Sequence, residues 1–178
     1  MDRLGVGYED LKRVNPRIIY CSLTGYGQNG PYRDMASHDV NYIGLGGILG
    51  LTGPKGGPPV IPGIQIVDLV GGGLYSVIGI LTALTARQKT GRGQHVDISM
   101  FDGVVSLLAD GALAYFAEGR APGPGERRLT GGLPQYQVYQ TKDGKYLAVG
   151  ANEEKFWANL CRLIGKPDKA ALVNALLR

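Results

Sequence analysis

Apolar residues at Leu69, Val70, Leu74, Val77, Ile78, Leu81 and Leu84 recur at helical spacing and predict a helix running through to Lys89. Gly91 supplies its C-terminal stop. Ahead of it, Gly63–Val67 reads as a short strand, with Asp68 following as N-cap. Tyr8–Val14 predicts a short helix that ends before Asn15 and Pro16. Arg17–Leu23, rich in β-branched and aromatic residues, predicts a buried strand. Residues 38–50 form an apolar, glycine-dotted helix, and Thr52–Pro59 is a loop. His95–Met100 alternates as a strand does, and a further helix is expected from about Phe101 to Glu118.

The pattern then changes. Ala121–Glu126, with alternating proline and glycine, reads as a linker. Tyr136–Thr141 and Lys145–Gly150 flank Lys142, Asp143 and Gly144, a strong hairpin signal. Asn152 is expected to cap a final helix ending near Gly165–Pro167. Strands alternating with helices before the linker give an α/β fold class, and the hairpin marks a second, α+β domain. The division is residues 1–120, part of a large α/β domain; 121–135, a linker; and 136–178, the start of a small domain. No first strand precedes Tyr8, and Leu172–Arg178 looks like an interrupted helix, so an incomplete chain is expected.

Composition narrows the class. With 178 residues, 44% of them hydrophobic and 19% charged, the chain can bury a core and does not read as disordered. Polar residues interrupt each long apolar run, so no membrane partner is expected. The net charge of +4 permits a polyanionic partner, but the basic residues are scattered, which argues against nucleic acid and suits a phosphate-bearing small molecule. Cys21 and Cys161 are far apart, lack metal-type spacing and sit among apolar residues, as reduced thiols of a cytoplasmic protein do. No metal site is expected.

Candidate chemistry is sparse. Gly25, Gly27 and Gly30 make a formal GxGxxG after a strand, but no apolar helix follows Pro31, so a tight loop is the better reading. Asp68, at a strand-to-helix junction before Gly71, Gly72 and Gly73, is either a cap or an ionised carboxylate suited to act as nucleophile or base. In the second case the glycines would let a bulky ligand approach the backbone. His38 and Asp39 open another helix. His95 reads as structural, and Glu153 as an acid complementing a helix dipole.

Three separated runs, Asn15–Pro31, Gln65–Leu69 and Lys89–Asp97, with Asp143–Gly150 in the hairpin, resemble the family III CoA-transferases and α-methylacyl-CoA racemases. The resemblance covers essentially the whole chain. It implies an enzyme that processes acyl-CoA, with coenzyme A as part of the substrate and no permanently bound cofactor. It also implies an interlocked homodimer in the full-length protein. In the transferases the residue matching Asp68 attacks the thioester and passes through an aspartyl-CoA intermediate. In the racemases it is one of two acid/base groups flanking the α-carbon, the other being a His.

Ser37–Tyr42 is similar to the racemase segment, with His38 on its catalytic position, where many transferases carry Tyr. The resemblance further puts Glu153 in the role of the acid paired with that His. Asp39, Tyr136, Gly71 and Gly72 fall among the substrate- and CoA-binding positions. Ile64 stands where racemases tend to have Asn. Epimerization at the α-carbon of a 2-methylacyl-CoA is the favoured expectation. CoA transfer through Asp68 is the alternative, and an inactive CoA-binding fragment is the non-enzyme reading.

Overall fold

The computed structural model describes residues 1–165. The expected helix at Leu172–Arg178 lies outside them. The chain divides into two compact units: Met1–Leu49 with Ile61–Leu113, and Gly50–Val60 with the residues from Ala114 onward.

In the first unit, α1 (Tyr8–Val14) leads into β1 (Ile19–Thr24), which pairs in parallel with β2 (Gln94–Ser99). The register sets Ile19 opposite Gln94 and Thr24 opposite Ser99. Parallel strands need a long crossover. Here it contains α2 (Asp39–Gly46), a π-helical segment (Val67–Leu74) and α3 (Tyr75–Thr90). The last ends at Gly91 in the left-handed region, as the sequence predicts. A buried cluster of Tyr42, Ile43, Val67 and Val104, flanked by Tyr26, Met100 and Phe101, joins α2 and the π segment to α4 (Met100–Leu107).

Three expectations are corrected. Gly63–Val67 is not a strand: helical structure has already begun at Ile66, and the Leu69 N–H reaches the Gln65 carbonyl at 3.2 Å. Phe101–Glu118 is not one helix but two, α4 and α5 (Ala109–Glu118). Between them, the Leu108 N–H bonds the Val105 carbonyl three residues back at 3.2 Å, a tightened turn that ends the first helix. The helix of residues 38–50 stops at Gly46, where Gly47 turns left-handed.

The continuous run Val67–Thr90, 24 residues, is long and apolar enough to cross a membrane by length and composition. This differs from the sequence reading, in which polar residues interrupted every such stretch. Much of its apolar side is exposed, including Leu74, Val77, Ile78 and Leu81.

In the second unit, β3 (Tyr136–Gln140) and β4 (Tyr146–Gly150) form the expected antiparallel hairpin. Its turn is closed by the Asp143 carboxylate, which accepts from the Thr141 hydroxyl at 2.5 Å and the Lys145 ammonium at 2.9 Å. These two partners, the hydroxyl first, hold the Asp143 carboxyl below its usual range. In the expected linker, Glu126 accepts from Arg120 at 2.8 Å and from the Gly123 N–H at 3.0 Å. The final helix, α6 (Glu154–Leu163), buries Trp157 and Cys161. Its N-cap is Glu153 rather than Asn152, because the Asn152 side chain accepts from Arg128 Nε at 2.8 Å.

Close crossing of the π segment and α4 depends on two glycines. A Cβ on Gly103 would lie 2.4 Å from the Gly71 Cα, and one on Gly71 would lie 2.7 Å from the Met100 carbonyl oxygen. We predict that Gly103→Ala costs about 1–3 kcal/mol by overpacking. Gly44→Ala, in α2, meets only Leu49 at 3.8 Å and should gain about 0.5–1 kcal/mol from helix propensity. Thermal unfolding of both variants checks this; equal midpoints would mean that the crossing tolerates a methyl group.

Candidate active site

The chemistry centres on two helix starts. α2 begins after His38, whose backbone N–H donates to Asn41 Oδ1 at 3.0 Å, while its carbonyl accepts from the Asn41 and Tyr42 N–H groups. One residue on, Asp39 reaches across 28 positions to the π segment. Its Oδ1 accepts from the Val67 N–H at 2.6 Å and from the Asp68 N–H at 3.2 Å. Helices leave their first backbone donors unsatisfied, and a carboxylate there meets both the donors and the positive end of the dipole.

Asp68 therefore does not cap its own helix. Its N–H is held by Asp39, and its exposed carboxylate accepts no hydrogen bond among the described residues. The exposed His38 imidazole likewise makes none among them. The first unit thus brings together His38, Asp39 and Asp68. Glu153 and Tyr136 belong to the second unit, the former as N-cap of α6 and the latter as first residue of β3. Tyr136 lines a cavity of about 370 Å³ with Thr130, Gly131, Val138 and Ala148.

Gly71 and Gly72, expected near the ligand, have a packing role in the fold. Both are buried, Gly71 against Met100 and Gly103 and Gly72 against Met100 and Leu23; of the three glycines only Gly73 is exposed. Their lack of a side chain serves helix packing.

Tyr42 was missed. Its hydroxyl donates to the Ser37 carbonyl at 3.4 Å and sits where a Cβ on Gly25 would be 2.0 Å away. Its ring packs edge-on against Tyr26 at 5.1 Å, and Tyr26 bonds Ser37 Oγ at 2.9 Å. Burial raises the Tyr42 pKa, with smaller contributions from Tyr26 and from the charge of Asp68, so the phenol lies within electrostatic reach of that carboxylate. The three-residue spacing from Asp39, which puts the two on neighbouring positions of one helix, was the available signal.

The loop read as a formal nucleotide motif has another use. The Gln28 N–H donates to Asp97 at 3.0 Å and the Gly25 carbonyl accepts from the Phe101 N–H at 3.0 Å, so the loop is tied to β2 and to the start of α4. His95 bonds Ser22 at 2.8 Å and stacks on Tyr8. These residues line a cavity of about 720 Å³ along β1 that contains neither Asp68 nor His38. No group of three or more metal-ligating side chains occurs among the described residues.

The family model described as CoA-transferase family III matches residues 1–175. The chain belongs to CoA-transferase family III. Among curated family members it is 39% identical to human alpha-methylacyl-CoA racemase over 169 residues, 93% of this chain and 43% of that protein. It is also 39% identical to the acetyl-CoA:oxalate CoA-transferase of Acetobacter aceti over 171 residues, 96% of this chain and 43% of that one. The crystal structure of a CAIB/BAIF family protein from Brucella suis superposes with a TM-score of 0.81 at 33% identity, covering 99% of this chain and 51% of that one. The chain thus spans less than half the length of these curated relatives. The α/β class and the family resemblance read from the sequence both hold.

The raised Tyr42 pKa has a testable consequence. Stability tied to the neutral phenol is fully present below the unfolded pKa of about 10. It is lost as pH rises through the higher folded value. Ultraviolet titration should show phenols ionising above the ordinary range, Tyr42 and the buried Tyr139 being the two with raised values. Tyr42→Phe should remove one of these late steps. An unchanged late step would assign it elsewhere and take Tyr42 out of this environment.

Proposed function

We propose that this member of CoA-transferase family III exchanges the α-proton of a 2-methylacyl-CoA and thereby epimerizes that carbon. The observation that carries the reading is the adjacency of two acid/base groups through Asp39: His38 precedes it in the chain, and Asp68 is bonded to it through its backbone N–H. The relative named alpha-methylacyl-CoA racemase supports the same choice.

In one direction the Asp68 carboxylate takes the α-proton, breaking the C–H bond and leaving its electron pair in the thioester enolate. A protonated His38 then delivers a proton to the opposite face. The reverse order converts the other epimer, and no net proton is consumed. His suits the role because its ordinary pKa lies near neutrality.

A second reading is CoA transfer, favoured by the equal identity to the relative named acetyl-CoA:oxalate CoA-transferase and by the exposed Asp68 carboxylate. There Asp68 attacks the thioester carbonyl, expels CoA thiolate to give an anhydride, and is then itself thioesterified as the acid departs.

Substituting Asp68→Ala should abolish turnover under either reading; a tenth of the activity remaining would leave Asp68 as a structural residue. His38→Gln separates the two. Deuterium wash-in at the α-carbon should fall at least about a hundredfold, whereas CoA exchange with free acids should fall much less. Robust CoA exchange in wild type with no wash-in at all would replace the epimerase reading by the transferase one.

We also propose that the protein works as a homodimer. The exposed apolar face that runs from the end of the π segment into α3, with Leu74, Val77, Ile78 and Leu81 each more than half exposed, supports association. Sedimentation velocity should give at least twice the chain mass; a monodisperse monomer would contradict it, as would partition onto lipid vesicles in place of self-association.

A further inference from the structure

We infer that Asp39 is a positioning residue for the reaction, acting through the backbone of Asp68 by holding open the wide π-helical turn on which Asp68 sits. The inference rests on the proposed role of Asp68, and the experiment below separates the two.

A π turn accommodates one more residue than an α turn and is disfavoured without a local cause. Downstream, the segment is pinned. Gly71 meets Met100 and Gly103 with no room for a Cβ, and a Cβ on Gly79 would lie 2.7 Å from Val96 of β2. Upstream, Val67 is fully buried in the core, so Asp68 lies between two fixed points. If the π turn relaxed to α geometry, one residue would have to be taken up between them. One residue is about 100° of rotation around the helix. Relaxation would therefore swing the Asp68 carboxylate away from its present direction.

Asp39 opposes this from outside the helix. Its Oδ1 binds two successive donors, the Val67 and Asp68 N–H groups, at 2.6 and 3.2 Å. Two bonds to one oxygen fix the orientation of that peptide pair. Asp39 is itself the first-turn acid of α2, so the same charge also complements the dipole of its own helix. The arm from α2 to the π segment is short and stiff, because Tyr42 and Ile43, the next turn of α2, are buried beside Val67.

The test compares Asp39→Ala, Asp39→Asn and Asp39→Glu with wild type, each normalised to folded protein. Asn keeps an acceptor oxygen at the same reach, so kcat should stay within about tenfold of wild type. Ala removes the acceptor and should lower kcat about a hundredfold, the scale of a misplacement near 1 Å, with KM changed less than about threefold. Glu keeps charge and acceptor but adds a methylene, and should also lose kcat. Amide hydrogen exchange supplies a reading independent of turnover. The Val67 and Asp68 amides should be protected in wild type and Asp39→Asn and unprotected in Asp39→Ala.

Full kcat in Asp39→Glu, or equally protected Val67 and Asp68 amides in Asp39→Ala, would overturn the inference. So would a loss carried by KM in all three variants, which would make Asp39 a substrate contact. If Asp39→Ala does not fold, the Asn and Glu variants still decide. If instead Asp68→Ala retains turnover while the exchange pattern holds, the assignment of Asp68 has failed and the backbone clamp stands.

Discussion

The carboxylate of Asp39 spans the starts of two helices, and the candidate site is organised around that one side chain. It sits in the first turn of α2 and accepts from the first donors of the π segment, so two positive helix ends share a single negative group. His38 is its chain neighbour, Asp68 its hydrogen-bond partner and Tyr42 lies one turn further along α2. The buried cluster of Tyr42, Ile43, Val67 and Val104 lies directly behind, so core packing and site geometry are joined rather than separate layers.

Much of this was readable from residue pattern. The strands were visible because β-branched and aromatic residues cluster in them, and α3 because its apolar residues keep helical spacing to a glycine stop. The hairpin showed itself through Asp143 and Gly144. What could not be read locally was Asp68. Its surroundings depend on Asp39, 29 positions away, and a one-dimensional pattern carries no trace of a long-range bond to the backbone. The same holds at Asn152, a good cap by composition whose side chain is engaged by Arg128, leaving Glu153 at the helix start.

Gly71 and Gly72 illustrate a different ambiguity. A glycine run after a candidate catalytic residue fits a ligand that needs close approach, and it fits equally well a neighbouring helix that needs it. The fold supplies such a neighbour in α4, with Met100 and Gly103. The break at Leu108 was hidden for a related reason: both halves have helical composition, and the change is a single tightened turn.

The unbroken run from Val67 to Thr90 acts as a strut. At about 1.5 Å per residue its 24 residues extend roughly 35 Å, with Asp68 at one tip and Arg87 and Lys89 near the other. Gly79 seats its middle on Val96 of the sheet. The position of the Asp68 carboxylate is thus referred, through the length of the helix, to a seat on β2.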